Sequence, residues 1–159
     1  VCSSDLRIET APVTLFAVPY GMIGDAKEDF FMKAIVEFLN KSKVFYLATN
    51  SEGAPDVRPM GIAIPYNDKL YFVAAKPMNV FKQLEADNKV SISAYDGEKF
   101  LRLYGTAVLE DSEETVNTFL GMDEKIATMF PADIMAPFYL KDVTASICSF
   151  TEEPEVYNF

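Results

Sequence analysis

From residue 44 onward the chain is a succession of short β-type runs cut by turn signals, and such a chain must find a way to cover its strand edges. Val44 to Thr49 is β-branched and aromatic, and Asn50-Ser51-Glu52-Gly53 is turn chemistry. Val57 to Pro65 alternates up to Asn67-Asp68, and Leu70 to Ala74 follows as a continuous apolar run. These three segments read as a meander. Val90, Ile92 and Ala94 then alternate with Ser91, Ser93 and Tyr95, Asp96-Gly97 is a strong hairpin turn, and Phe100 to Leu109 is a long return strand. Phe138 to Leu140 and Val143 to Phe150 complete the set, and Glu152-Glu153-Pro154 interrupts the pattern before the Val156 to Phe159 tail. About six antiparallel strands with few helices point to a small barrel. Parallel α/β alternation is absent, and with it the glycine-rich phosphate loops of dinucleotide folds.

Helical signals sit between these strands. Met32, Ile35, Phe38 and Leu39 recur at helical spacing up to Asn40 and Ser42. Pro77 opens a short helix with an apolar stripe of Val80, Phe81 and Leu84, which Asn88 ends. Asp111 with Glu114 resembles a capping box for a helix through Val116, Phe119 and Leu120, stopped at Gly121. A further helical turn around Ile126 and Met129 ends at Phe130-Pro131.

The 159 residues, half of them apolar, suit one globular domain. The opening Val-Cys-Ser-Ser-Asp-Leu resembles the translated end of a sequencing adapter. Lys27 to Met32 can be spelled as a ribosome-binding sequence ahead of a start codon. Residues 1–31 therefore read as a non-native extension before a domain spanning 32–159, the alternative being a native N-terminal arm. With 24 acidic against 14 basic residues, the net charge of −10 repels phosphate backbones and anionic headgroups, which disfavours nucleic acid and membranes as partners. The longest apolar candidate for a membrane span, Val13 to Ile23, is broken by Pro19 and Gly21.

Histidine is absent, which removes imidazole bases, catalytic triads built on them and His-ligated zinc or haem. The two cysteines, Cys2 and Cys148, are too few for a disulfide framework and fit a cytoplasmic protein. Cys148, between Ile147 and Phe150, suits a buried core position. Met129, Phe130, Met135, Phe138 and Tyr139 read as core or subunit interface rather than a substrate box.

One constellation is suited to an anionic ligand. Arg58 lies mid-strand in Val57-Arg58-Pro59-Met60-Gly61, while Lys76, Asn79 and Lys82 cluster where the Leu70 to Ala74 strand hands over to its helix. A helix N-terminus presents unpaired N–H groups and positive potential, and lysines beside it complete a phosphate site. The same residues admit a plainer reading. Lys76 and Lys82 are then ordinary solvated positions, Arg58 pairs with a carboxylate, and Pro59 marks a sheet edge.

Taken in order, the stretch from Phe38 through Leu109 resembles the pyridoxamine 5'-phosphate oxidase-like family. It contains Arg58-Pro59-Met60-Gly61, Leu70 to Leu84 with Ala74-Ala75-Lys76-Pro77-Met78-Asn79, Asn88-Lys89-Val90 and Phe100-Leu101-Arg102-Leu103-Tyr104-Gly105. The closing Ser149 to Pro154 is similar to the ending of its short bacterial members. The resemblance implies a six-stranded antiparallel split β-barrel with flanking helices, the FMN-binding split barrel, assembled as a homodimer with FMN in clefts between the barrels. Carried over by position, it implies that Arg58, Pro59, Met60 and Gly61 line the cofactor and that Ala74 and Ala75 lie along the ribityl chain. Lys76, Asn79 and Lys82 would hold the phosphate, and Phe100 and Arg102 would approach the flavin across the dimer. Departures from the vitamin B6 oxidases at Gly61-Ile62-Ala63 and Met78-Asn79-Val80, with the acidic tail, argue against pyridoxamine phosphate oxidation. Haem-degrading relatives with a histidine ligand are disfavoured, as are deazaflavins with an acidic tail. The resulting expectation is an FMN-dependent oxidoreductase of flavin- or nitro-compound-reductase type, using NAD(P)H and a small-molecule electron acceptor, with no side-chain acid or base required. The alternatives are a non-enzymatic FMN-binding or electron-transfer protein, and a structural dimer that has lost its cofactor.

Overall fold

The computed structural model describes residues 24–159. Its first element, α1 (Gly24–Ser42), buries Met32, Ile35, Val36, Phe38 and Leu39 along one face, the stripe expected from their spacing. The helix runs across the expected boundary at Met32, and the Phe31 ring packs edge-on against Tyr157 with centroids 5.1 Å apart. Residues 1–23, which include the apolar Val13 to Ile23 run, lie outside the described residues.

Strands β1 (Phe45–Ser51) and β2 (Ala54–Met60) form the expected hairpin, with Glu52 and Gly53 both at positive φ as a tight turn of this hand requires. The expected meander then fails. Strand pairing stops at Met60, Gly61-Ile62-Ala63 is unpaired, and β3 (Ile64–Tyr66) turns through Asn67-Asp68 into β4 (Lys69–Ala75). The physical reason lies in the two strands' composition. Pro55 and Pro59 have no N–H to offer a further neighbour, so β2 ends the sheet. β4 is buried on both faces and takes an interior place instead.

The chain continues through α2 (Asn79–Ala86), β5 (Lys89–Tyr95), β6 (Phe100–Leu109), α3 (Glu113–Met122), α4 (Glu124–Met129), β7 (Met135–Cys148) and β8 (Glu155–Asn158). The architecture is mainly β, as expected, but the antiparallel sheet has eight strands rather than six. β3 and β8 are short additions, and the two segments expected around 138–150 merge into the fourteen-residue β7. The N-cap of α3 is Ser112, whose side chain accepts from Thr115 N, and not Asp111.

The strand order is β2-β1-β5-β6-β7-β4-β3, with β8 also on β7. Edge strands β2 and β3 are thus consecutive in the chain, joined by three residues. Four residue steps span at most about 14 Å, whereas seven strands laid flat would separate their edges by roughly 29 Å. The sheet must therefore curl until its edges nearly meet, which leaves a seam without hydrogen bonds at Gly61-Ile62-Ala63: a split barrel.

Two cores follow from the alternation along β4. Leu70, Phe72 and Ala74 face the barrel interior with Phe45, Leu47, Ile92, Leu101, Leu103 and Phe138. Tyr71 and Val73 face outward and are covered by Val116, Phe119 and Ile126 from α3 and α4. Tyr71 donates its hydroxyl to Glu110, and burial with that carboxylate pushes its pKa up. Cys148 is buried, as expected. Among the described residues no helix is long and apolar enough to cross a membrane.

Asp96 fastens α1 to the β5–β6 hairpin. Its side chain accepts from the backbone N–H groups of Glu98 and Lys99 and, at 2.7 Å, from Lys41 Nζ at the end of α1. The Lys41 hydrogen bond, with those backbone donors, lowers the Asp96 pKa from 3.8 to about 2. The folded carboxyl is the stronger acid, so its contribution is complete above about pH 5 and is lost as pH falls toward 2. Asp96→Asn is expected to lower stability near neutrality by on the order of 1 kcal/mol. In melts between pH 7 and pH 2 its Tm deficit against wild type should close as the pH falls; a deficit independent of pH would contradict the assignment.

Candidate functional site

A cavity of about 730 Å³ opens at the seam. Its floor is the chain that crosses from one sheet edge to the other, Arg58 through Pro65, with Val73 and Ala74 of β4 behind it. The helical side is supplied by Met78, Val80, Met122, Ile126, Met129 and Phe130, with Asp123 and Lys125 near them. The lining is chiefly apolar, and the volume falls in the range of roughly 300–1,000 Å³ common for small-molecule sites.

Arg58 points to the inner side of β2, where its register partner is Leu47. Its guanidinium donates through Nη1 to Thr49 Oγ1 at 2.6 Å and through Nη2 to Gln83 Oε1 at 2.8 Å, and it pairs with Asp56 Oδ2 at 3.0 Å. Thr49 also donates to Gln83, and Gln83 Nε2 donates to Asp56. Gln83 is thereby the hub, and its hydrogen bond, with Arg58 beside it, holds the Asp56 carboxyl below its ordinary range. The arginine side chain is only 16% exposed and both its Nη groups are engaged. The carboxylate pairing of the plainer reading is thus present, and it coexists with a place on the cavity wall.

The lysine corner lies at the rim. Lys76 follows β4 directly, and its backbone N–H is tied to Ile134 O. Its Nζ sits 2.9 Å from Asp111 Oδ2, and this hydrogen bond holds the Asp111 carboxyl below its usual value. Met78 is the N-cap of α2 and offers no side-chain cap, and the first turn holds no acidic residue. Asn79 is the first helical residue, and Lys82 stands one turn further on the same side. No ion pair involving Lys82 forms among the described residues.

The structure therefore brings Arg58, Pro59, Met60, Gly61 and Ala74 into one cavity, whereas Ala75, Lys76, Asn79 and Lys82, at the junction of β4 and α2, are not in its lining. Phe100 and Arg102 stand elsewhere. Ala75 pairs with Met135 at the start of β7, whereas Phe100 pairs with Cys148 at its end. Arg102 lies over the Phe100 ring, whose other neighbour is Phe150.

Sequence reasoning missed the methionine wall and the Thr49–Gln83–Asp56 network. Met129 and Phe130 line the cavity; Phe130 also packs against the outer core, as expected, whereas Met129 is 59% exposed. A signal for Gln83 existed: with Val80 and Leu84 it forms the buried face of α2, and a polar side chain on an apolar stripe needs partners. Among the described residues no cluster of His, Cys, Asp or Glu is placed to hold a metal.

No curated protein matches the chain. Among solved structures, a NimC/NimA family protein from Clostridium acetobutylicum is 33% identical with a TM-score of 0.80, covering 85% of this chain and 96% of that one. A pyridoxamine 5'-phosphate oxidase-related, FMN binding protein from Nostoc punctiforme is 12% identical with a TM-score of 0.56, over 80% and 95% of the two chains. A heme binding protein from Mycobacterium smegmatis is 15% identical with a TM-score of 0.60, over 87% of this chain and 59% of that one. The last two establish likeness of fold alone. The family model described as pyridoxamine 5'-phosphate oxidase matches residues 31–137, so the seam, the lysine corner and the β1–β2, β3–β4 and β5–β6 hairpins fall within it, and the chain belongs to that family.

Proposed function

We propose that this protein binds FMN at the seam and works as an FMN-dependent oxidoreductase in a homodimer. One observation carries the reading: an apolar cavity of about 730 Å³ is lined by Met78 at the N-terminus of α2, whose first turn holds no acidic residue and which Lys76 and Lys82 flank in sequence. FMN has that duality, an apolar ring at one end and a dianion at the other. Family membership supports the same ligand, and the FMN binding relative from Nostoc shares the fold.

When bound, FMN supplies hydride acceptance and donation at its ring. The chain's own residues do the rest. Lys76 and Lys82, with the first N–H groups of α2, orient the phosphate by charge-assisted hydrogen bonds, each contributing about 1.5–3 kcal/mol. Met60, Ile62, Met78, Ile126 and Met129 cover the ring and exclude water, and methionine sulfur makes favourable contacts with aromatic systems. Arg58, fixed by Thr49 and Gln83 and paired with Asp56, would place a partly compensated guanidinium at the wall beside the ring. Arg58, Asp123 and Lys125 are the charged residues of the lining, and hydride transfer from NAD(P)H to a small acceptor asks no more of them. A porphyrin reading, prompted by the mycobacterial relative, lacks a histidine to ligate the iron.

The outer face of the sheet supports the dimer. Pro59, Tyr46, Ser93, Arg102, Ser146 and Val156 form one unbroken cross-strand row over six strands. Tyr95, Tyr104, Val57 and Phe150 stand on or beside this face, more than half exposed. Such a broad face of exposed aromatic and apolar groups marks an interface. With Phe100 and Arg102 at the far end of β7 from Lys76, they meet the same cofactor only from a second copy.

Two outcomes test this reading. Purified protein titrated with FMN should turn yellow and be bleached by NAD(P)H, with Lys76→Ala weakening FMN binding by about tenfold or more. Binding without bleaching by either nicotinamide would favour a non-enzymatic flavoprotein; a colourless protein indifferent to FMN would sink the proposal. In sedimentation, wild type should run as a dimer and Tyr104→Glu as a monomer that keeps its far-UV circular dichroism yet loses FMN affinity; a wild-type monomer would overturn the assembly.

A further inference from the structure

We propose that Asp111 occupies Lys76 in place of the cofactor's phosphate and is displaced when the phosphate arrives, so that Asp111 sets how strongly the site prefers FMN to riboflavin. This inference rests on the FMN reading above. The lysine that ends β4 is engaged, through its 2.9 Å contact with an acid from the loop between β6 and α3. That loop reads Glu110-Asp111-Ser112, with Glu113 and Glu114 following in the first turn of α3, and Asp111 is the acid among them that reaches Lys76. It is spared the capping of α3, which Ser112 performs.

The geometry is that of an exchangeable pair. Both backbones are anchored on the β7 side: Lys76 N–H donates to Ile134 O, and Glu110 N–H, one residue before Asp111, donates to Pro137 O. The side chains are not anchored so. They are 40% and 39% exposed, and surface ion pairs of that kind contribute little to stability. A phosphate dianion brings two charges and several acceptor oxygens, and it can use Lys82 and the α2 N-terminus at the same time. The phosphate therefore wins the lysine, at the cost of the pair it breaks. Riboflavin, lacking the phosphate, leaves the pair intact and bears no such cost. Asp111 thus reduces the advantage of the phosphorylated flavin.

The experiment is a double-mutant cycle on the full chain, with FMN and riboflavin as titrants. Asp111→Asn should tighten FMN by about two- to fivefold and leave riboflavin unchanged. In a Lys76→Ala background the same substitution should have no effect on FMN. Glu113→Gln removes a neighbouring charge without touching Lys76 and should change neither titration. Equal tightening by Glu113→Gln, or an Asp111→Asn effect that persists without Lys76, would mean a diffuse field rather than occupancy and would overturn the inference. If Lys76→Ala weakens FMN but Asp111→Asn does not tighten it, the role of Asp111 falls and the cofactor reading stands. If wild type binds no FMN, both fall together.

Discussion

Everything in this fold turns on the length of β7. Its first half carries β4 on one edge and β6 on the other, and its second half keeps β6 while exchanging β4 for β8. A single strand can serve two sets of neighbours only if it bends, and the bend is visible. Asp142 takes a positive φ, and the β6 register shifts between Tyr104 and Thr106. Gly105 lies in that shift, where an added Cβ would come within 3.4 Å of Leu140 Cβ and Lys141 O. The bend lets the sheet curl, and the curl brings β2 and β3 near one another without pairing. The seam, and hence the cavity, is a consequence of strand accounting more than of any residue lining it.

The division of labour at the site follows from the same geometry. Strand β4 delivers Ala74 to the cavity and Lys76 to its rim, because the strand ends where β7 begins. α2 starts immediately afterwards and contributes Met78 and Val80 to the wall, while its opposite end holds Gln83 against Thr49, Arg58 and Asp56. One eight-residue helix therefore orders the arginine and frames the lysine corner. Its stability is tied to buried polar contacts, which are costly to leave unmade.

Features set by neighbours in sequence were readable before the structure. The Glu52-Gly53 and Asp96-Gly97 turns, the amphipathic stripes of α1 and α2 and the burial of Cys148 depend on a few adjacent residues, and local chemistry decides them. The alternation from Val57 to Pro65 misled because period-two patterning says that a chain is extended and not which strand it pairs with. Pro55 and Pro59 held the missing information, since each denies β2 a second partner. Asp111 was readable as an acid before a helix and not as a partner of Lys76, thirty-five residues earlier, because only the β4–β7 pairing brings the two loops together. The methionine wall was hidden for the same reason: Met122 and Met129 meet Met60 only through the closure of the sheet.

Net charge behaves differently for different anions. A nucleic acid or a lipid surface extends over many Debye lengths, about 8 Å each at physiological salt, so its charges feel the whole excess of acids. A mononucleotide's phosphate feels chiefly the groups within one such length. At the corner, two lysines and the α2 N-terminus stand against the single carboxylate of Asp111. The acidic remainder acts mainly on the encounter, slowing the approach of an anion without weakening the contacts that hold it. Affinity in such a protein must then come from slow release, and slow release requires that each contact at the corner be short, oriented and shielded. A surface rich in acids and a pocket for a dianion are therefore compatible, provided that the positive charges are few and concentrated at one helix end.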